Sequence, residues 1–191
     1  MTEDRGIRKK AIRLNLLERV GTVAETIEML LRLRAKTVES PPAVKFTYAH
    51  QLKLEDPFFD SLRADYQHQK FDAWLRRCQE EHRRCWVIET DGRDGLAALC
   101  LIKTDQDAHE YQLRGKVLKI CTFKVEQGCT GRKYGELLLK SVFQYVHENQ
   151  FDSIVVTAFE RQSSLLSLLE DCGFNHISRN EHGEMVYVKT F

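Results

Sequence analysis

The sequence lacks several features that would assign it to a specialised class of protein. It has no apolar run long enough to span a bilayer, and its first ten residues are too charged for a secretory signal. It contains no internal repeat and no low-complexity segment. Lys and Arg total 29 against 28 for Asp and Glu, so neither a nucleic-acid surface nor a disordered acidic tail is indicated. These absences predict one globular domain with a short appendage, in the cytoplasm.

Metal-binding and disulfide patterns are also missing. The seven histidines form neither HxxxH nor HExxH, so no metal is expected. The six cysteines never form CxxC, which in an intracellular protein indicates buried reduced thiols. They are Cys78, Cys85, Cys100, Cys121, Cys129 and Cys172.

The first part of the chain predicts a helical leader. Apolar residues recur at helical spacing over residues 6–36, with an interruption where Thr22 and Glu25 form a capping box for a second helix. The Pro pair in residues 39–42 then favours an extended linker. We expect the apolar helices to contact another domain or subunit, as in a homo-oligomer. The predicted domains are a helical leader or linker at 1–40 and a main domain at 43–191.

The remainder predicts alternating strands and helices. Asp56 and Pro57 begin a helix as N-cap and first residue, and Gly173 ends another as its C-cap. The order of elements predicts a mixed β-sheet covered by helices on both faces, within the α/β class. Strands are predicted at 43–49, 85–90, 96–104, 116–125, 153–158, 174–179 and 185–190, and the other helices at 70–81, 134–148 and 163–172.

The segment at 116–140 carries the clearest chemical signal. A strand leads through a loop of small residues directly into an amphipathic helix, whose free N–H groups favour an anion such as a pyrophosphate. Gly131 and Gly135 let the backbone approach such an anion, and Arg132 and Lys133 add positive charge. An ordinary turn with glycines is the alternative. The segment matches neither a P-loop nor a dinucleotide-binding fingerprint.

This segment resembles the cofactor motif of the GNAT N-acetyltransferase superfamily, V-x-x-x-x-[RQ]-x-x-G-x-[GA] followed by a leucine-rich helix. Val125 matches the valine, Thr130 stands at the Arg/Gln position, Lys133 replaces the first glycine and Gly135 matches the last position, without a gap. Because Lys133 replaces a glycine, we expect an ordinary helical conformation there.

The resemblance covers residues 43–191, including the helix that ends in Gly-Phe at 173–174. The variant TGRKYGELLLK resembles a subgroup in which the acetyltransferase-like half follows a PIN-type nuclease domain. The helical leader would then be a remnant or linker of such an arrangement.

The resemblance implies an acetyl-CoA-dependent N-acetyltransferase with a GNAT-like fold. Acetyl-CoA is expected between two splayed parallel strands, 116–125 and 153–158, with its pantetheine arm along the first. A backbone N–H near residues 121–123 would polarise the thioester carbonyl, and an amine would attack it directly. The implied cofactor-binding residues are Thr122, Phe123, Lys124, Val125, Thr130, Gly131, Arg132, Lys133, Tyr134, Gly135 and Glu136.

The resemblance does not supply a general acid or a general base at the family's usual positions. Leu169 stands where many members have a tyrosine acid, and Lys119 where some have a glutamate base. Glu160, just past the second strand, is the candidate base, and a solvated surface carboxylate is the alternative. Residues expected to border the acceptor site are Asp60, Asp65 and Tyr66.

The acceptor amine is open: a small molecule, a peptide or a tRNA-linked amine. Because the tyrosine is missing and Lys119 replaces the glutamate, a non-catalytic acyl-CoA-binding or partner-regulating module, linked to nucleic-acid processing, is the alternative function. A local basic cluster indicates a solvated face, or else a contact with RNA or an acidic partner. Its members are Arg76, Arg77, Arg83 and Arg84.

Overall fold

The computed structural model describes residues 5–16, 20–37, 42–66, 68–90, 95–106, 108–129 and 131–191. Contacts divide the chain into two compact units, Met1–Pro42 and Ala43–Phe191. Part of the predicted linker, residues 39–41, lies outside the described residues, as does most of the turn after the second predicted strand, residues 91–94. No described helix is both long and apolar enough to cross a membrane.

The first unit contains two helices, α1 at Arg5–Arg13 and α2 at Val23–Thr37. The predicted capping box is confirmed: Thr22 N donates to Glu25 Oε2 at 2.7 Å, and Glu25 N donates to Thr22 Oγ1 at 3.1 Å. The first helix ends well before the predicted interruption, because Asn15 adopts a left-handed φ of 55°. Leu16 N then donates to Ala11 O, which closes a Schellman-type end.

The second unit alternates strands and helices in nearly the predicted order. Asp56 caps a single 3₁₀ turn, since its Oδ1 accepts from Phe58 N at 2.9 Å, and an α-helix follows that turn. The strands are β1 Lys45–Tyr48, β2 Arg84–Glu89, β3 Leu96–Gln106, β4 Lys116–Val125, β5 Ser153–Ala158, β6 Asn175–Arg179 and β7 Met185–Thr190. The helices are α3 Asp60–Tyr66, α4 His68–Glu80, α5 Tyr134–Glu148 and α6 Ser163–Asp171.

The strands form one mixed sheet in the order β1-β2-β3-β4-β5-β7-β6. The neighbours β4 and β5 are parallel, and every other neighbouring pair is antiparallel. A parallel pair needs a crossover connection, and α5 supplies it. The predicted mixed sheet is confirmed.

Apolar side chains cover the sheet on both faces. On one face Leu138 of α5 and Leu169 of α6 pack with Ile154 of β5. On the other, Phe59 and Leu75 pack with strand residues that include Cys85, Val87, Leu99 and Leu101. On that second face β5 and β7 are covered instead by Ala108 and Tyr111 of the β3–β4 connection, which pack with Val155, Val186 and Val188. The candidate site lies at β4 and β5.

Candidate active site

The sheet opens between β4 and β5. The two strands pair from Val117 opposite Ser153 to Ile120 opposite Val156. Beyond these pairs, β4 continues along β3 to Val125, whereas β5 continues along β7. Among the described residues, no strand therefore pairs with the second edge of β4 over its last residues. This is the splayed arrangement that the resemblance implied.

A β-bulge at Cys121 lies where the strands diverge. Ile120 pairs with Ile102 of β3 and Thr122 pairs with Leu101, so Cys121 is an extra residue in β4. Such a residue bends the strand and increases its twist. No glycine or proline of β4 signals the bulge, and the sequence analysis missed it.

The loop after β4 contains two left-handed residues, Gly131 with φ of 83° and Lys133 with φ of 60°. The expectation of an ordinary helical conformation at Lys133 was wrong, because this residue is the left-handed N-cap of α5. The lysine keeps the backbone geometry that a glycine adopts easily, at a cost of about 1–2 kcal/mol. Thr130 lies outside the described residues.

Gly135 lies in the first turn of α5 and serves close packing. A Cβ there would be 2.7 Å from Leu168 Cδ2 and 3.6 Å from Phe123 Cε1. Because Gly135 has no side chain, α5 can approach α6 and the end of β4. This role differs from the positive φ that Gly131 supplies.

A cavity of about 540 Å³ lies beside this loop and the start of α6. The N–H groups of Tyr134, Gly135 and Glu136 have no acceptor within the helix, and the Lys133 side chain does not cap them. A helix N-terminus of this kind attracts an anion. The predicted cofactor residues that line the cavity are Phe123, Lys124, Val125, Gly131, Lys133, Tyr134, Gly135 and Glu136.

Two other predicted cofactor residues, Thr122 and Arg132, do not line this cavity. Arg132 donates its backbone N–H to Cys129 O at 3.2 Å, which shapes the loop. Thr122 lines a second cavity, of about 570 Å³, on the α3–α4 side of the fork. Three residues line both cavities, namely Phe123, Gln162 and Leu165. The two cavities therefore adjoin at the fork between β4 and β5.

The comparison with known proteins agrees with this geometry. The sequence model of the acetyltransferase (GNAT) family matches residues 48–174, well over half of the chain. The chain belongs to the GNAT family. The matched span contains the end of β4, the loop, α5 and α6, which are the elements that line the cofactor-side cavity.

Solved GNAT structures share the fold at low identity. An acetyltransferase of Staphylococcus aureus superposes with a TM-score of 0.59 at 13% identity, covering 78% of this chain and 99% of its own. The PaiA N-acetyltransferase of Thermoplasma acidophilum, in complex with coenzyme A, gives 0.53 at 12% identity, with 78% and 99% covered. Arabidopsis thaliana NAA60, in complex with a bisubstrate analogue, gives 0.53 at 11%, with 78% and 97% covered. No curated protein matches the sequence.

Part of the lining of the second cavity of this GNAT protein is a hydrogen-bonded polar group around Lys119. Its Nζ donates to Tyr111 Oη at 2.6 Å and to Glu110 Oε1 at 3.0 Å. Burial lowers the pKa of Lys119, but these hydrogen bonds outweigh it and the pKa is raised. Lys119 therefore stays protonated, so it does not replace the glutamate base of other members.

A carboxylate that the sequence analysis missed lies in the same cavity. Glu184 is half-buried in the cavity wall, and its Oε2 accepts from Asn180 Nδ2 at 2.7 Å. Tyr66 of α3 lines the same cavity, and burial, followed by the charge of Glu184, raises its pKa. Glu184 precedes β7, and only the pairing of β7 with β5 brings it to the fork. No local signal at Glu184 could have found it.

The predicted base Glu160 lies elsewhere. It is an exposed side chain in an ion pair with Arg179 at 2.9 Å, and it lines neither cavity. Leu169 is fully buried in the core. Of the residues expected near the acceptor, Tyr66 lines the cavity, whereas Asp60 bonds Arg63 and Asp65 bonds Arg161.

The cysteines and the basic cluster can also be located. Cys78, Cys85 and Cys100 are buried and the other three are half-buried. Arg76, Arg77 and Arg84 are exposed, but the side chain of Arg83 is largely buried and lines the second cavity. Among the described residues, no group of three or more His, Cys, Asp or Glu is arranged to hold a metal ion.

Proposed function

We propose that the protein transfers the acetyl group of acetyl-CoA to an amine at the fork between β4 and β5, with acetyl-CoA on the α5 side and the amine on the α3–α4 side. The observation that carries the proposal is that Phe123, Gln162 and Leu165 line both cavities. A thioester held in the first cavity would be reached by a nucleophile from the second. Residues 43–191 would contain the whole catalytic domain, in the cytoplasm.

The chain offers backbone groups that fit the two parts of CoA. Free amides at the start of α5 would hold the pyrophosphate, with Gly131 and Lys133 giving the loop its path. The unpartnered edge of β4, from Thr122 to Val125, would pair with the amide-containing pantetheine arm as a strand does. When bound, acetyl-CoA supplies the activated acetyl group.

The bulge offers a donor for the developing oxyanion. Backbone N–H groups at 121–123 lie where β4 leaves β5, and the bulge turns the strand there. A donor in this position would stabilise negative charge on the carbonyl oxygen during attack, which is commonly a large contribution to catalysis.

Glu184 is the general base that we propose in place of Glu160. Its Oε1 has no hydrogen-bond partner among the described residues, while Asn180 orients Oε2. A half-buried carboxylate beside the fork is able to take a proton from the substrate ammonium, directly or through a water, so that the neutral amine can attack the thioester. Glu160 is exposed and already paired with Arg179.

An assay of CoA release tests the proposal. Purified protein with acetyl-CoA is offered free amino acids, peptides, polyamines and aminoacyl-tRNA, and acetyl-CoA binding is measured by calorimetry. We expect micromolar binding and turnover with at least one acceptor class. Tight binding with no turnover across these classes would contradict the transferase proposal and favour the non-catalytic binding module.

A further inference from the structure

Arg83 is a nearly buried arginine in the wall of the acceptor-side cavity. It lies between α4 and β2, and only 10% of its side chain is exposed. Its Nε donates to Glu81 Oε2 at 2.7 Å, and its Nη1 contacts Cys121 Sγ at 3.5 Å. The guanidinium is thereby held against the bulged residue at which the fork opens.

Most hydrogen-bonding capacity of Arg83 is unused. A guanidinium has five N–H donors, and two are engaged here, one of them by a thiol, which is a weak acceptor. Three N–H groups therefore have no acceptor among the described residues. A desolvated guanidinium with free parallel donors beside a cavity is suited to bind a carboxylate in the bidentate manner.

The neighbouring cations are already engaged. Lys103 is paired with Asp105 at 2.7 Å, and Lys119 with Glu110 at 3.0 Å. Both lysines and their carboxylate partners line the cavity, so each ion pair adds little net charge beside Arg83. Arg83 is the one of these three cations whose free donors lie in a planar fork that matches a carboxylate.

The opposite side of the fork is acidic. Arg83 adjoins β2 and contacts β4, whereas Glu184 precedes β7, which pairs with β5. Since the fork separates β4 from β5, the guanidinium and the Glu184 carboxylate flank it from opposite sides. The cavity thus presents a positive group and a negative group to one ligand.

We propose that the acceptor carries a carboxylate beside its amine, as a free amino acid does, and that Arg83 binds this carboxylate while the amine faces Glu184. Because Nη1 of Arg83 lies 3.5 Å from Sγ of Cys121, the residue at which the fork opens, a carboxylate bound by Arg83 would be held next to the fork. The inference rests on the proposed transferase function.

Matched substrates test the inference. CoA release is measured for the free amino acids, for their α-amides and for O-phosphoethanolamine. We expect the acids to exceed their amides about tenfold or more in kcat/KM, as for a charge-assisted hydrogen bond. Arg83→Gln should abolish this preference, Arg83→Lys should retain part of it, and Arg84→Gln, an exposed neighbour outside the cavity, should preserve it.

A binding arm separates this inference from the proposed function. N-acetylglycine and N-acetylglycinamide are titrated while the fluorescence of Trp74, in the cavity wall, is followed, with thermal unfolding as the check on folding. Arg83-dependent preference for the acid supports the anion site even if no amine is acetylated, which would defeat only the transferase proposal. Equal turnover of acids and amides, or a preference for the phosphate compound, would overturn the carboxylate assignment while leaving the transferase standing.

Discussion

The two cavities that adjoin at the fork are built in different ways. The cofactor-side cavity is lined largely by one continuous stretch from Phe123 to Glu136, together with the start of α6. The acceptor-side cavity is formed by side chains from separate segments, among them Tyr66, Arg83, Lys119 and Glu184. The first depends on backbone conformation and the second on which side chains the fold brings together.

This difference separates the effects of substitutions. A change of backbone geometry or helix packing near α5 should weaken acetyl-CoA binding. A change of side chain in the acceptor-side cavity should lower turnover and leave acetyl-CoA binding intact. Each prediction below would break or sharpen that separation.

The largest effect is expected for Glu184→Gln. Removal of the proposed base should lower kcat/KM by about 10²–10⁴ while the Kd for acetyl-CoA stays unchanged. The matched control is Glu160→Gln, which removes an exposed carboxylate that lines neither cavity. Loss in the control alone would return the role of base to Glu160, and equal loss in both variants would contradict the assignment to Glu184 alone.

Gly135→Val should damage the cofactor side. The new side chain would meet Leu168 and Phe123, so overpacking should lower the free energy of unfolding by about 1–3 kcal/mol and displace the start of α5. Acetyl-CoA affinity, measured by calorimetry on the folded fraction, should fall markedly. Gly128→Ala is the control, because a Cβ there meets no atom within 4 Å. Unchanged affinity in the valine variant would show that the helix start does not hold CoA.

The left-handed conformation of Lys133 predicts which of two substitutions gives the more stable protein, and the difference is smaller than those above. Lys133→Gly should be more stable than Lys133→Ala by about 1 kcal/mol in urea unfolding, since glycine tolerates positive φ. In an ordinary helical conformation the order would reverse by about the same amount. Finding the alanine variant more stable would therefore restore the expectation from the sequence.

Thiol labelling should distinguish the cofactor-side cavity from the apolar core. Burial raises the pKa of Cys85 to about 12 and that of Cys78 to about 11, so both remain protonated at pH 8 and should resist a disulfide reagent. Cys129 is half-buried and lines the cofactor-side cavity, so it should react and be protected by acetyl-CoA. Labelling of Cys129 that acetyl-CoA does not slow would contradict its placement.

Features encoded in one continuous stretch could be predicted from the sequence. The bounds of β4, α5 and β5 match the prediction, because apolar periodicity and the small loop residues are local signals. The turn at Gly131 could be predicted for the same reason. The conformation of Lys133 was predicted wrongly. The preference of lysine indicates a right-handed helical conformation, whereas the path of the loop into α5 requires a left-handed one.

Features that depend on strand pairing could not be predicted. Glu160 and Glu184 both lie next to strand ends, and nothing in their local sequence indicates which faces the fork. The pairing of β7 with β5 brings Glu184 there, and Arg179 engages Glu160. The bulge at Cys121 is likewise a property of the β3–β4 register rather than of a residue type.

A structure of the protein with bound CoA tests the central claim most directly. The account predicts pyrophosphate oxygens within hydrogen-bond distance of amides between Gly131 and Glu136, the pantetheine arm along the free edge of β4, and the thiol at the fork beside Gln162. CoA bound away from the start of α5, or a thiol that does not reach the fork, would contradict it.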